Sequence, residues 1–276
     1  MNLVVQSPSL SEKRVLELTP LAGSDRIEKI TGHAWRVRGA ARSDSLVSYC
    51  EQHRIDYAFV PEGLRFADLK LVAMDMDSTL ITMETIDELG DLVGRKAEIA
   101  AITARAMRGE IDYPQSLRQR VSLLAGLGED GLASVYEQRL KLTAGAEALI
   151  EACKRHGVKL LLVSGGFTFF VERLKARLGL DYTISNELEI EAGRLTGRLV
   201  GSVVDAGAKA AKFLSTMKDL NAAKNETVAI GDGANDLKMM AAAGVSVAFH
   251  AKPVVRAQAS CAISWCGLDA VPNLFE

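Results

Sequence analysis

Two carboxylates spaced two residues apart are the residues of this chain best placed to do chemistry. Asp75 and Asp77 directly follow Leu71–Met74, an apolar run typical of a buried parallel strand. Side chains alternate along an extended chain, so residues i and i+2 lie on the same side. Ligands of open α/β sheets bind beyond the carboxyl ends of the strands. There, paired carboxylates can hold a hard cation, or one can attack while the other moves a proton. A solvated strand end is the alternative.

A second apolar run, residues 158–163, ends in Ser164, Gly165 and Gly166. Ser164 supplies a hydroxyl donor, and glycines let the backbone N–H groups approach an anion closely. Lys209, near the start of a predicted helix, adds a cation. An ordinary strand-to-helix turn and a solvated lysine are the alternatives for Ser164 and Lys209.

A third apolar run, residues 227–230, ends in the string Gly-Asp-Gly-Ala-Asn-Asp at 231–236. The glycines allow a tight backbone path, and Asp232 can complete a magnesium site, because Mg²⁺ prefers oxygen ligands. Of the four features described so far, the Asp75–Asp77 pair, residues 164–166, Lys209 and this string, the string is the most specific. Three strand ends and one lysine are therefore expected to converge at one edge of a parallel sheet.

The order of these strings resembles that of the haloacid dehalogenase-type phosphohydrolases, whose motifs are D-x-D-x-T, a strand-end Ser or Thr, a Lys, and G-D-x-x-x-D. Five strings are also similar to those of the phosphoserine phosphatase family, and the resemblance spans about residues 69–272. They occupy residues 76–80, 84–88, 116–121, 163–167 and 231–236.

The resemblance implies Mg²⁺-dependent hydrolysis of O-phosphoserine to serine and phosphate, the last step of serine biosynthesis. Asp75 would be the nucleophile that forms an aspartyl phosphate, and Asp77 would protonate the leaving group and then activate water. The metal would be held by Asp75, Asp232 and the backbone carbonyl of Asp77, with Asp236 beside it.

The resemblance also assigns substrate contacts. Ser164, the Gly165 N–H and Lys209 would hold the phosphate oxygens. Glu84 would pair with the substrate ammonium, Arg120 would grip its carboxylate, and Asn235 would contact the substrate or the phosphate. By pattern alone, Glu84 and Arg120 are more typical of exposed helix charges, which contribute little, and only the match to the family's strings reverses this interpretation.

Residues 66–276 predict an α/β catalytic domain, a parallel sheet with helices on both faces, because strands and helices alternate from residue 145 onwards. A helical insert at about 82–142, directly after the first catalytic strand, is similar to the cap of the haloacid dehalogenase-like family. Such a cap excludes water and contacts the substrate.

Residues 1–65 predict a small α+β module without catalytic strings, either regulatory or dimerising. Alternating apolar residues favour strands at 15–19, 34–38 and 55–60. Residues 43–53 favour a helix capped by Ser43 or Asp44. Whether the protein forms a homodimer is left open.

Composition narrows the classes of partner. The net charge of −2 over 276 residues gives no basic surface for nucleic acid. Four cysteines without a C-x-x-C pair and four scattered histidines argue against zinc and for free thiols in a reducing cytoplasm. No apolar run is long enough for a membrane helix.

Two other functions stay open at this point. The same core supports a phosphatase or phosphotransferase acting on another small phosphate monoester. A non-catalytic metabolite sensor on this scaffold is the second, although the intact Asp75, Asp77, Lys209 and Asp232 argue against it.

Overall fold

A computed structural model describes residues 1–276 as two β-sheets with helices packed around them. The strands are β1 Asn2–Gln6, β2 Ile27–Lys29, β3 Ala34–Val37, β4 Asp56–Val60, β5 Leu71–Met74, β6 Lys159–Phe167, β7 Tyr182–Glu191, β8 Arg194–Val200, β9 Thr227–Gly231, β10 Val245–Phe249 and β11 Cys261–Ile263. The α-helices are α1 Glu12–Ala22, α2 Asp44–Gln52, α3 Thr85–Leu92, α4 Lys96–Met107, α5 Tyr113–Ser122, α6 Glu129–Ser134, α7 Ala146–Arg155, α8 Thr168–Leu178, α9 Ala206–Asp219, α10 Leu237–Ala242 and α11 Pro253–Arg256.

The larger sheet has seven strands in the order β11-β10-β9-β5-β6-β7-β8, and all neighbours are parallel except β7 and β8. Alternate residues of β5 face opposite layers of the core. Val72 and Met74 join the apolar cluster that includes α7 and α8, whereas Leu71 and Ala73 pack with residues of α9 and α10. Helices therefore cover both faces, and the predicted α/β fold class is confirmed. The antiparallel β7–β8 pair is a β-hairpin whose turn is formed by Ala192 and Gly193.

Five α-helices lie between β5 and β6, and the first four, α3 to α6, form an insert. The segments that lead into and out of this insert meet at a β-bridge between Ile81 and Leu142. The Thr82 N–H donates to the Lys141 carbonyl at 3.0 Å, and the Thr143 N–H donates to the Leu80 carbonyl at 3.0 Å. The chain thus leaves the sheet just after Asp75 and returns to the same place.

The smaller sheet has four antiparallel strands in the order β2-β3-β1-β4. Leu3 and Val5 of β1 pack against residues of α1 and α2. On the opposite face, Val4, Ala58 and Val60 belong to the same apolar cluster as Val72 and Met74 of the larger sheet. The N-terminal sheet therefore shares one apolar core with the larger sheet.

One predicted strand in this region is wrong. Residues 15–19 lie in α1, where Val15, Leu18, Thr19 and Ala22 are buried. Their spacing of three, four and seven residues is helical, because it places them on one face of a helix. Strand β1 was not predicted, whereas β3, β4 and a helix capped by Ser43 were, and these are confirmed.

Buried polar groups join the N-terminal sheet to the C-terminal segment. The Asp56 carboxylate accepts the backbone N–H groups of Ser264, Trp265 and Cys266 at 2.7, 3.0 and 2.9 Å. Arg36, only 2% exposed, donates to the Phe275 carbonyl at 2.6 Å. Such buried contacts fix the two parts of the chain relative to each other, because an unpaired buried N–H or guanidinium would be costly.

None of the helices combines the length and the apolar composition needed to span a membrane.

Candidate active site

Three neighbouring parallel strands bring the predicted acids to one edge of the sheet. Asp75 follows the central strand β5, Asp232 follows β9 on one side, and Ser164 lies in β6 on the other. Carboxylate oxygens of Asp75, Asp232 and Asp236 lie within 4.8 Å of one another. The strand ends therefore build a compact cluster of carboxylates from residues far apart in sequence.

Lys209 is the cation at the centre of this cluster. Its fully buried ammonium lies 2.8 Å from Asp75 Oδ1 and 2.8 Å from Asp236 Oδ1. The side chain of Asp205 caps α9 by accepting the Ala208 N–H at 2.8 Å, which places Lys209 in the first turns of the helix. Burial lowers the pKa of Lys209, but Asp236 and Asp75 outweigh burial and raise it above the ordinary value. Lys209 is therefore a permanent positive charge.

One lysine does not neutralise the surrounding carboxylates. Burial, reinforced by the Asp236 charge, raises the pKa of Asp75 to about 8 in spite of Lys209. Burial and Asp236 likewise raise the pKa of Asp232 to about 6. Both oxygens of Asp236 accept hydrogen bonds, from Lys209 and from the Gly233 N–H at 3.1 Å, whereas the carboxylate of Asp232 accepts none. An oxygen-only site with excess negative charge and free carboxylate oxygens fits a hard divalent cation.

Asp77 lies in the tight turn that follows Asp75. Its carboxylate accepts the Thr85 N–H at 3.3 Å and the Thr85 hydroxyl at 3.2 Å. Burial raises the pKa of Asp77 well above the ordinary value, and the charges of Glu84 and Asp75 add to the effect. Burial therefore favours the protonated form of this carboxyl group, the form that a general acid requires.

Gly166 keeps open a small space that Asp77 and Ser164 share. A Cβ at this position would stand 2.9 Å from Asp77 Oδ2 and 3.0 Å from Ser164 Oγ, too close for any side chain. Ser164 Oγ accepts the Gly166 N–H at 2.8 Å, so its own hydrogen remains free to donate. This geometry suits a hydroxyl that binds an anion beside an acid.

The carbonyl of Gly165 is held by two side chains that the sequence analysis missed. Asn186 Nδ2 donates to it at 2.8 Å, and the hydroxyl of Tyr113 in α5 donates at 3.3 Å. Asn186 Oδ1 also accepts the Val204 N–H at 2.8 Å, just before α9. Asn186 therefore ties the Gly165 loop to the segment that carries Lys209, and Tyr113 ties that loop to the helical insert.

The remaining predicted residues lie around this centre without direct bonds to Asp75. Glu84 is exposed and accepts the Ser78 hydroxyl at 2.7 Å. Arg120 is partly buried, and its Nε lies 3.4 Å from the Ser116 carbonyl. Neither Glu84 nor Arg120 forms an ion pair. The amide oxygen of Asn235 lies over Gly233, where a side chain would overlap it.

Thr85 was also missed, although it lies inside the string at 84–88. Its position directly after Glu84, inside that string, was the feature of the sequence that could have indicated it. Asn186 and Tyr113 carried no signal of this kind, because they act through a main-chain carbonyl that only the folded chain brings to them.

Comparison with known proteins assigns the architecture to a family. The family model for haloacid dehalogenase-like hydrolases matches residues 72–241, which contain every acid of the cluster. The chain belongs to the haloacid dehalogenase-like hydrolase family. A separate model, for a domain of unknown function, matches residues 3–45.

Three relatives give the family match more detail. A phosphoserine phosphatase of Albidiferax ferrireducens is 53% identical over 218 residues, covering 77% of this chain and 92% of that protein. The unliganded structure of a probable phosphoserine phosphatase from Vibrio cholerae has a TM-score of 0.87 at 37% identity, covering 99% of this chain and 86% of that one. A phosphoserine phosphatase with a phospho-aspartyl intermediate analogue has a TM-score of 0.71 at 38% identity, covering 75% and 99%.

Proposed function

We propose that this protein hydrolyses O-phosphoserine to serine and phosphate in the last step of serine biosynthesis, with Mg²⁺ as cofactor. The observation that carries the proposal is the buried Asp75 carboxylate at the end of β5, held by Lys209 beside an oxygen-only cation site. Relatives named phosphoserine phosphatases, similar over most of the chain, support this substrate.

The covalent step belongs to Asp75. Its free oxygen attacks phosphorus, forming the Asp75–phosphate bond while the bond from phosphorus to the serine oxygen breaks. Lys209 stays on the other oxygen, which orients the nucleophile. Asp75, Asp232 and the Asp77 carbonyl would hold Mg²⁺, which offsets the repulsion between a carboxylate and a phosphate dianion. Asp236 is proposed to hold Lys209 at the edge of that site.

Asp77 is proposed to move the proton. Its raised pKa favours the protonated form, from which it donates a proton to the serine oxygen as that oxygen departs. The resulting carboxylate then takes a proton from the water that attacks the aspartyl phosphate, which regenerates Asp75 and releases phosphate. Ser164, the Gly165 N–H and Lys209 are proposed to bind the oxygens that gain charge.

Glu84 and Arg120 are proposed to choose the substrate. Phosphoserine carries an ammonium and a carboxylate, and the two unpaired side chains offer the complementary charges. Both lie in the stretch after Asp75, residues 82–142, that we propose acts as a cap closing over the substrate, with Asn235 as a further contact. Residues 66–276 are proposed as the catalytic domain and residues 1–65 as a separate module.

A phosphate-release assay over a panel of monoesters with Mg²⁺ tests the proposal. Phosphoserine should give the highest kcat/KM. Arg120→Ala should lower kcat/KM for phosphoserine, because the loss of a charge-paired contact costs roughly 2–5 kcal/mol of transition-state stabilisation. The kcat/KM for p-nitrophenyl phosphate should change much less. Arg118→Ala, an exposed arginine of the same helix, is the matched control. Faster turnover of another ester would assign a different substrate.

A further inference from the structure

A cavity away from the Asp75 site contains none of the residues of that site. Its volume is about 930 Å³, within the range of small-molecule sites. One wall comes from β4 and the segments beside it, and the other comes from α11, β11 and the residues that follow. The cavity therefore lies between the N-terminal sheet and the edge of the catalytic sheet, where ligand sites are common.

Aromatic side chains line both walls of this cavity. Tyr57 and Phe59 of β4 are half-buried on one side, and Trp265 is 44% exposed on the other. The guanidinium of Arg54 lies 5.3 Å from the centre of the Trp265 ring. Aromatic side chains on both walls suit a flat apolar group, which can stack on a ring.

The charges of the cavity favour an anion. Arg42 and Arg256 line it, and neither forms an ion pair or a side-chain hydrogen bond. Its acids are Glu51 and Asp56, but the Asp56 carboxylate is already occupied by three backbone N–H groups. Two unpaired guanidinium groups thus face one free carboxylate. Guanidinium forks match carboxylate and phosphate geometry.

We propose that this cavity binds a small organic anion with a flat aromatic body and one carboxylate or phosphonate group. Arg42 and Arg256 hold the acidic group, and the aromatic body lies between Tyr57 and Trp265. This proposal goes beyond the phosphatase activity and does not depend on it.

The fluorescence of Trp265 can report binding in this cavity, because the other tryptophan, Trp35, is only 2% exposed. The full-length protein is titrated with benzoate, phenylphosphonate and neutral benzamide while tryptophan emission is recorded. We expect saturable changes with at least one anion and none with benzamide, and the better anion identifies the preferred acidic group. Calorimetry on Trp265→Phe checks binding without the reporter. Absence of saturation with both anions, or equal binding of benzamide, overturns the proposal.

A paired substitution separates this site from the Asp75 site, which phenylphosphonate can also enter. The double variant Arg42→Gln/Arg256→Gln should weaken anion binding about tenfold or more, since hydrogen bonds to charged groups are lost. Arg155→Gln/Arg177→Gln removes two other exposed arginines and should leave the affinity unchanged. Equal affinities in the two double variants overturn the site.

Discussion

At the scale of single residues, the environment of Asp77 decides what the acid can do. Serine leaves as a strongly basic alkoxide and needs a proton, whereas p-nitrophenolate does not. Asp77→Asn keeps the main-chain carbonyl but removes the proton. We expect the first chemical step to slow by roughly 10²–10⁴-fold with phosphoserine and only slightly with p-nitrophenyl phosphate. Rapid-quench measurement of phosphoenzyme formation gives both rates. Equal slowing with both esters would leave Asp77 only a structural role.

The raised pKa values of Asp75 and Asp232 make a prediction about metal and pH. The ordinary aspartate pKa is 3.8, and in the folded protein these values rise to about 8 and about 6. At pH values between the ordinary and the raised pKa, the metal-free folded protein holds protons that the unfolded chain has lost. Its stability therefore falls as pH rises from about 4 to about 8. Mg²⁺ needs the ionised carboxylates, so its binding strengthens over the same range.

Thermal unfolding with and without Mg²⁺ measures this effect. The rise in Tm caused by Mg²⁺ should be larger near pH 8 than near pH 5. Asp232→Asn should reduce the rise at both values, because it removes a free carboxylate ligand. Asp25→Asn, at an exposed position, serves as the control. An increase in Tm that is the same at both pH values would show that Mg²⁺ does not bind these acids.

The sequence indicated the residues of this site unevenly. Asp75, Ser164, Lys209 and Asp232 were predicted from their own side chains at a strand end or helix start, and the structure places these side chains at one edge of the sheet. Asn186 was not, because its contribution depends on two main-chain groups, the Gly165 carbonyl and the Val204 N–H. Local pattern does not reveal which backbone groups meet in space.

At the scale of elements, Asn186 connects β7, the Gly165 loop and the start of α9. Asn186→Asp keeps an acceptor for the Val204 N–H but replaces the donor that faces the Gly165 carbonyl with an oxygen. We expect a loss of roughly 1–3 kcal/mol in unfolding free energy, the cost of an unpaired buried group. Phosphate binding should weaken as well, because the Gly165 loop and Lys209 lose their common anchor.

Denaturant unfolding and the inhibition constant of inorganic phosphate check this prediction. Asn225→Asp, an exposed asparagine on the same chain, should change neither quantity. If Asn186→Asp matches that control in phosphate affinity, Asn186 does not position the phosphate loop.

Elements were predicted well where one signal dominated. The continuous apolar runs of β5, β6 and β9 leave no alternative to buried strands, and the alternation of strand and helix then fixes the fold class. Residues 15–19 alternate Val-Leu-Glu-Leu-Thr over a window too short to separate the two periods. The buried set that includes Ala22, one turn further on, makes the helix evident. Strand β1 is buried along its whole length and is too short for a periodic signal.

At the scale of the whole molecule, the N-terminal sheet is bound to the catalytic part through Asp56. Asp56→Ala leaves the N–H groups of Ser264, Trp265 and Cys266 without their acceptor. We expect a loss of roughly 3 kcal/mol in the free energy of unfolding, because hydrogen bonds to a buried charge are lost. Urea unfolding should show this loss, with Asp25→Ala as the control in the same sheet region. Identical midpoints for the two variants would mean that the other contacts, among them Arg36 with the Phe275 carbonyl, hold the sheet without Asp56.

Locating the phosphoryl group during turnover tests most directly whether Asp75 is the nucleophile. The protein is mixed with ³²P-labelled phosphoserine and Mg²⁺, quenched in acid at successive times, digested and mapped by mass spectrometry. Covalent catalysis by Asp75 predicts label on the peptide that contains Asp75, appearing before free phosphate and decaying as phosphate is released. Label on a different residue, or phosphate release with no labelled protein at any time, would show that Asp75 does not form the covalent intermediate.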